Sequence, residues 1–221
     1  MRVRIKICGF TEEKTAYLAA QAGADAIGVV FAPSRRQIEP ELARRIREGL
    51  PPFVAAVGVM MDPDLEEALE LAKSCGLDAI QLHGNESPEF CARLAEKTHC
   101  RIIKTLAVSR EGEKGEELQR KIEAYRPVVH AFLFDTAVGK SCGGTGRTFN
   151  WQVLSRLRIG KPWLLAGGLD ATNVGEALRV ARPWGVDVSS GVESAPGIKD
   201  IMRIEAFIRA VRRYENEINR L

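Results

Sequence analysis

Two reactive side chains each follow a short apolar run of the sequence. Cys8 comes directly after Val3–Ile7 and before Gly9, and Asp135 directly follows Ala131–Phe134. A thiol accepts a proton only as the thiolate, and a carboxyl group in apolar surroundings has a raised pKa, as a general acid requires. We therefore expect Cys8 and Asp135 to act as base and acid. On composition alone, Cys8 is better explained as a small buried hydrophobe.

Glycine and serine follow two later apolar runs and predict an anion site. Gly167 and Gly168 follow one run, and Ser189, Ser190 and Gly191 follow the next. Glycine lets backbone N–H groups approach an anion closely, and a helix N-terminus adds a favourable dipole. One such pair would indicate only a tight turn, but two neighbouring ones favour a phosphate site.

A pair of arginines follows the second apolar run. Arg35 and Arg36 come after Ala26–Phe31. A guanidinium binds a carboxylate through two parallel hydrogen bonds, so this pair predicts a carboxylate site. Two solvated surface arginines are the alternative.

Other polar side chains lie within or beside predicted strands. Gln81 and His83 are two residues apart, so they project to the same side, where they either line a site or form a satisfied polar core. Asp187 lies between two valines, so it points to the opposite side of its strand from both. We expect that side to be the interior of the barrel that the strand pattern predicts below. For Lys6 and Lys104 we expect structural roles.

A glycine-rich run follows Asp135. Gly139–Arg147 contains four glycines but lacks the order of a nucleotide-binding P-loop. Because lids need backbone freedom, we expect a mobile lid here, with a flexible surface loop as the alternative. Cys142, within it, is an expected exposed thiol.

Eight apolar runs alternate with amphipathic segments along the whole chain. This alternation predicts parallel strands joined by helical crossovers, and eight repeats match a (β/α)8 TIM barrel over residues 1–221 as a single domain. An open doubly wound sheet is the alternative. In a barrel the residues that follow the strands meet at one mouth. The runs are Val3–Ile7, Ala26–Phe31, Val54–Met60, Ala79–Leu82, Ile102–Leu106, Ala131–Phe134, Trp163–Ala166 and Val186–Val188.

The composition excludes several classes of protein. The formal charge of +3 gives no electrostatic case for nucleic acid, and the chain has no apolar run long enough to cross a membrane. Five scattered cysteines without a CxxC pair indicate neither a disulfide framework nor a metal site. We expect a cytoplasmic protein.

Several motifs, taken in order, resemble the phosphoribosylanthranilate isomerase family. They are Lys6–Thr11, Gly23–Gly28, Gln81–Gly84, Asp135–Thr136, Gly143–Phe149, Leu165–Leu169 and Asp187–Glu193. The match runs over essentially the whole chain, and the motifs KICG, QLHG and DVSSGVE make it specific. The resemblance implies a TIM barrel and a cofactor-free Amadori rearrangement in tryptophan biosynthesis. The substrate is N-(5'-phosphoribosyl)anthranilate and the product is 1-(2-carboxyphenylamino)-1-deoxyribulose 5-phosphate.

The resemblance also implies residue roles. Asp135 corresponds to the general acid and Cys8 to the general base, while Arg36 pairs with the anthranilate carboxylate. The turns at Gly167–Gly168 and Ser189–Gly191 hold the phosphate. We expect a monomer or homodimer with a small-molecule substrate. The alternatives are a related histidine-pathway isomerase, whose family uses two aspartates, and a catalytically silent phosphosugar-binding barrel.

Overall fold

The computed structural model describes residues 2–109, 115–136 and 148–219. Eight parallel strands pair in sequence order, and the last pairs with the first to close a barrel, which confirms the predicted TIM-barrel fold. The strands are β1 (Arg4–Cys8), β2 (Ala26–Val30), β3 (Ala55–Met60), β4 (Ala79–Leu82), β5 (Arg101–Val108), β6 (Ala131–Thr136), β7 (Trp163–Leu165) and β8 (Gly185–Val188).

Helices cover the outside of this barrel. They are α1 (Glu13–Ala22), α2 (Pro40–Gly49), α3 (Leu65–Ser74), α4 (Pro88–Lys97), α5 (Gly115–Tyr125), α6 (Val174–Ala181) and α7 (Ile201–Ile218). In α4, Ser87 accepts a hydrogen bond from the Phe90 amide and Pro88 occupies the first turn. Proline is favoured there because the first amides of a helix have no intrahelical partner. Among the helices of the described residues, none is long and apolar enough to cross a membrane.

Two segments differ from the pattern that the sequence predicts. Trp151–Arg156, between β6 and β7, is a 3-10 helix. After β8 a 3-10 turn, Ser190–Val192, leads into a small antiparallel hairpin of β9 (Glu193–Ala195) and β10 (Ile198–Lys199). Strands of two and three residues are too short to leave an alternating pattern in the sequence.

The barrel interior changes character along its axis. Its lower part is an apolar cluster of Val57, Ala79, Ile103, Leu133, Leu164 and Ala166, together with the partly buried Ala26 and Ala131. Toward the carboxyl ends of the strands, polar or reactive side chains appear among the inward-facing residues, next to the apolar Val30 and Val59. They include Cys8, Gln81, Asp135 and Asp187. The apolar layers support the polar end, where a ligand would have access.

Candidate active site

A cavity opens at the carboxyl ends of the strands. The cavity brings together ten of the twelve residues that the sequence predicts for the site: Cys8, Arg36, Gln81, His83, Asp135, Gly167, Gly168, Asp187, Ser189 and Ser190. Gly191 lies against the neighbouring turn instead, where a Cβ would come within 2.0 Å of the Leu169 carbonyl oxygen.

Cys8 ends β1 and is 8% exposed at the floor of the cavity. Gly28 of β2 makes room for it, since a Cβ at Gly28 would lie 2.8 Å from the Cys8 sulfur. Burial raises the pKa of Cys8 above its ordinary value, while the cations of Lys6 and Lys199 act in the opposite direction. The thiol form is therefore favoured in the protein without a ligand, which differs from the simplest expectation for a base.

Asp135 lies in β6 and its carboxyl group is almost fully buried. Burial raises its pKa to about 6, and the negative charge of Asp187 adds to the shift. The Thr136 amide donates a hydrogen bond to Asp135 Oδ1 at 2.7 Å and opposes it. A carboxyl group that titrates near neutral pH can hold and release a proton under physiological conditions.

Gln81 and His83 both face the cavity from the end of β4. Gln81 Nε2 lies 3.1 Å from His83 Nδ1, and His83 Nε2 lies 3.8 Å from Asp135 Oδ2. Burial and the cations of Lys6 and Lys104 lower the pKa of His83 to about 4, so it faces Asp135 as a neutral imidazole. Gln81 Oε1 is buried and has no hydrogen-bond partner among the described residues.

Asp187 points into the barrel, as its place between two valines predicts. Its Oδ1 lies 2.9 Å from Lys6 Nζ, and both side chains are buried. Lys104, in contrast, faces the helices, because it lies on β5 between the inward-facing Ile103 and Thr105.

The two predicted phosphate turns are packed closely against their neighbours. Gly167 has a φ of +88°, and a Cβ there would lie 2.2 Å from Thr136 Oγ1. Asn173 Nδ2 donates a hydrogen bond to the Gly168 carbonyl at 2.8 Å. These contacts hold the backbone of the first turn against the cavity, beside Ser189 and Ser190 of the second.

The two arginines after β2 differ in their surroundings. Arg35 is exposed, whereas Arg36 lines the cavity. Arg36 already has a carboxylate partner: its Nε and Nη2 each donate to Glu193 at 2.7 Å. Gly9 leaves space for the arginine, because a Cβ there would lie 2.4 Å from Arg36 Cδ.

The sequence reasoning missed three side chains around this arginine. Ser34 accepts a hydrogen bond from the Arg36 amide, and Glu193 and Lys199 form an ion pair at 2.7 Å. Glu193 ends the DVSSGVE motif, which was a signal that could have pointed to it, but neither its burial nor its two partners were visible in the sequence. The predicted lid and Cys142 lie outside the described residues.

Comparisons with known proteins agree with this geometry. A profile of the family described as N-(5'-phosphoribosyl)anthranilate (PRA) isomerase matches residues 5–210. The N-(5'-phosphoribosyl)anthranilate isomerase of Desulforamulus reducens is 48% identical over 210 residues, 95% of each chain. The crystal structure of the Thermotoga maritima phosphoribosyl anthranilate isomerase has a TM-score of 0.83 and 42% identity, and the match covers 95% of this chain and 98% of that one.

A further crystal structure adds a ligand to the comparison. It is a phosphoribosyl anthranilate isomerase in complex with reduced 1-(o-carboxyphenylamino)-1-deoxyribulose 5-phosphate. Its TM-score is 0.80 and its identity 40%, over 95% of this chain and 98% of that one. With the profile match and the relatives of over 40% identity, it shows that the chain belongs to the N-(5'-phosphoribosyl)anthranilate isomerase family.

Proposed function

We propose that Cys8 and Asp135 carry out the isomerisation of N-(5'-phosphoribosyl)anthranilate in this chain. The protein is an isomerase of tryptophan biosynthesis, and its product is 1-(2-carboxyphenylamino)-1-deoxyribulose 5-phosphate. The observation that carries the residue assignment is one cavity that holds a buried thiol and a carboxyl group with a pKa of about 6.

Anion-binding groups at the cavity would fix both ends of the substrate. The turns at Gly167–Gly168 and Ser189–Gly191 offer backbone N–H groups to the phosphate, and Arg36 offers N–H donors to the anthranilate carboxylate. The ribose then lies between Cys8 and Asp135, with Gln81 and His83 lining the same cavity. Holding a substrate at both ends lowers the entropic cost of reaching the transition state.

The reaction needs one acid and one base. Asp135 donates its proton to the ribose ring oxygen, the C1–O bond breaks, and the nitrogen lone pair forms a Schiff base with C1. The Cys8 thiolate then removes the proton from C2, and the electron pair of that bond moves to give the enolamine. In the tautomerisation to the ketone, the C2 hydroxyl loses a proton and C1 gains one. The proton taken up by Cys8 returns to Asp135 through solvent, so no cofactor or net proton is consumed. His83, neutral beside Asp135, adds no positive charge that would hold the acid in its ionised form.

Only a minor protonation state of the pair is reactive. Catalysis needs the Cys8 thiolate and the protonated Asp135, but the pKa of Cys8 is raised and that of Asp135 is about 6. At a pH between these two pKa values, most molecules have a protonated Cys8 and an ionised Asp135. The reactive fraction is constant across that pH range, since moving the proton from Cys8 to Asp135 changes no net charge.

A fluorescence assay with purified variants tests this proposal. Phosphoribosylanthranilate made in situ should lose its fluorescence when the wild-type protein is added. Cys8→Ser and Asp135→Asn should each lower kcat by about 10²- to 10⁴-fold, the range expected for a proton-transfer group. Their circular dichroism spectra and melting temperatures should match the wild type.

Matched substitutions elsewhere provide the controls. Cys91→Ser alters a buried thiol of α4, and Asp64→Asn alters the N-cap of α3, where asparagine caps equally well. Both should keep wild-type turnover. Near-wild-type kcat in Cys8→Ser or Asp135→Asn would refute the assigned role, and an inactive wild type would favour the silent phosphosugar-binding barrel.

Three expectations stay predictions. They are a single domain over residues 1–221, a cytoplasmic location, and a monomer or homodimer without a nucleic-acid partner. A structure of the Thermotoga maritima enzyme is described as containing monomers of a dimeric isomerase. Light scattering of the purified protein tests the oligomeric state of this chain.

A further inference from the structure

The hairpin that follows β8 places two opposite charges side by side. Glu193 of β9 pairs with Lys199 of β10, and both residues are buried, at 5% and 6% exposure. Lys199 Nζ lies 2.7 Å from Glu193 Oε1. Burial raises the cost of each charge, so the pKa of Lys199 is lowered, while Arg36 and Lys199 together lower the pKa of Glu193 against the effect of burial. Charges this deeply buried are rare unless they are paired.

Glu193 binds one edge of the Arg36 guanidinium, and within residues 2–109, 115–136 and 148–219 no hydrogen bond occupies the other edge. Arg36 Nε donates to Glu193 Oε1 and Nη2 to Oε2, both at 2.7 Å. A guanidinium has five N–H donors in a plane, and this pair uses the edge formed by Nε and Nη2. The edge formed by Nη1 and the second hydrogen of Nη2 can therefore bind another carboxylate in the same two-pronged way.

Lys199 connects this pair to one of the proposed phosphate turns. Its Nζ donates to the Ser189 carbonyl at 3.2 Å and lies 3.4 Å from Ser189 Oγ. Two cations, Arg36 and Lys199, thus share one anion, Glu193. The excess positive charge lies beside the cavity, where it favours a ligand with a carboxylate and a phosphate.

We propose that Glu193 is a positioning residue that holds the Arg36 guanidinium with its free edge toward the anthranilate carboxylate, with Lys199 as the balancing cation. The inference rests on the proposed carboxylate-binding role of Arg36 and adds the group that orients it. An arginine side chain has several rotatable bonds, and fixing them before binding removes an entropic cost from recognition. A purely structural pair would hold the hairpin to the barrel and have no effect on ligand choice.

Two ligands separate these roles. One is reduced 1-(o-carboxyphenylamino)-1-deoxyribulose 5-phosphate, and the other is the same compound without the ring carboxyl group. Calorimetry gives both dissociation constants, and their ratio measures how strongly the protein selects for the carboxylate. In the wild type we expect the carboxylated ligand to bind about 10- to 100-fold more tightly, the range for a charge-assisted pair.

Glu193→Gln should reduce this ratio about tenfold, because the glutamine amide offers an N–H where Arg36 needs an acceptor. This variant also leaves two buried cations without an anion, so its melting temperature should fall. The double variant Glu193→Gln with Lys199→Met removes one cation together with the anion. We expect it to regain most of the lost stability while the ratio stays low, which a merely structural role does not predict.

Glu41→Gln is the matched control. Glu41 forms the same two-pronged contact with Arg44, but on the exposed surface of α2. Its loss should leave both the ratio and the melting temperature unchanged, since exposed ion pairs contribute little.

The role of Arg36 itself is tested with Arg36→Met. If this variant keeps the wild-type ratio, the carboxylate-binding role under the proposed function is wrong. If it abolishes the preference while Glu193→Gln and the double variant retain it, Arg36 binds the carboxylate and the positioning role of Glu193 is overturned. Equal weakening of both ligands in the Glu193 variants would likewise reduce Glu193 to a structural residue.

Discussion

Two buried lysine–carboxylate pairs in this barrel have the same chemistry and different surroundings. Lys6 Nζ lies 2.9 Å from Asp187, and Lys104 Nζ lies 2.9 Å from Glu86. All four side chains are almost inaccessible to solvent. Both lysines lie near the middle of a barrel strand, Lys6 in β1 and Lys104 in β5. The direction in which each lysine points makes the difference.

Lys104 points toward the helices, and its hydrogen-bonding capacity is filled. Its Nζ also donates to the Gly84 carbonyl at 2.8 Å and lies 3.4 Å from the Leu82 carbonyl. Glu86 in turn accepts from the amides of Asp62 and Gly84 at 2.9 and 3.0 Å. With every donor and charge satisfied, this pair fixes the loop after β4 and has little capacity left for a ligand.

Lys6 points into the barrel and faces a reactive group. It lies two residues before Cys8 on the same side of β1 and interacts electrostatically with its thiol. Asp187, its partner, lines the cavity and raises the pKa of Asp135. The two pairs differ in the direction in which the lysine projects from its strand. Lys104 projects toward the helices and holds a loop, whereas Lys6 projects into the barrel, where its pair shifts the pKa values of Cys8 and Asp135.

Removing Lys104 should produce the largest effect on stability. Lys104→Met leaves the Glu86 carboxylate buried without a cation, which costs about 3–5 kcal/mol of unfolding free energy. Urea denaturation checks this value. Turnover of the folded fraction should stay within about threefold of the wild type, because Lys104 acts on the pKa of neither Cys8 nor Asp135. Burial, the largest cause of the lowered pKa of His83, is unchanged in this variant. The double variant with Glu86→Gln should recover much of the loss, and a variant as stable as the wild type would contradict the structural role.

Removing Lys6 should instead reduce catalysis. The reactive fraction depends on the pKa of Asp135 minus that of Cys8, and each unit of this difference is a factor of about ten. Lys6 lowers both values, but it is the largest charge acting on Cys8 and the smallest contribution at Asp135. Lys6→Met therefore raises the pKa of Cys8 more, and kcat/KM should fall about tenfold.

The pH dependence distinguishes this effect from simple damage to the barrel. The alkaline limb of kcat/KM reports the pKa of Cys8, so it should move to higher pH in Lys6→Met. In Lys104→Met it should stay in place. An unshifted limb together with wild-type kcat/KM would show that Lys6 is only structural.

The sequence predicted well which residues of a strand share a face, because successive side chains of a strand alternate between its two faces. Gln81 and His83 project to the same side, as a period of two predicts, and of the two alternatives left open the structure has them lining the cavity. Asp187 points into the barrel as expected. Once Ile103 of β5 is known to face the barrel interior, the same alternation places Lys104 on the outer face of the strand. Both lysines were expected to be structural, and only Lys104 has contacts that fit that role alone.

Contacts between distant parts of the chain were beyond the reach of the sequence. The Arg36–Glu193 pair joins residues 157 positions apart through a hairpin of two very short strands. The raised pKa of Cys8 depends on its burial in the folded barrel, which no local pattern reports. The strands and the glycine- and serine-containing turns can be recognised from short local patterns in the sequence. The partners of the buried charges depend on tertiary packing and cannot.

The smallest predicted effect lies on the acid limb of the wild-type profile, where kcat/KM falls to about half of its plateau value at a pH near 6. Below pH 6 Asp135 and Cys8 are both protonated, so the thiolate is lost and kcat/KM falls about tenfold per pH unit. His83, with a pKa of about 4, adds no limb in this range. Asp135→Asn removes the titrating acid, so its residual activity should rise with pH until Cys8 is ionised, without a plateau. A plateau in Asp135→Asn that still ended near pH 6 would assign the acid limb to another inward-facing group.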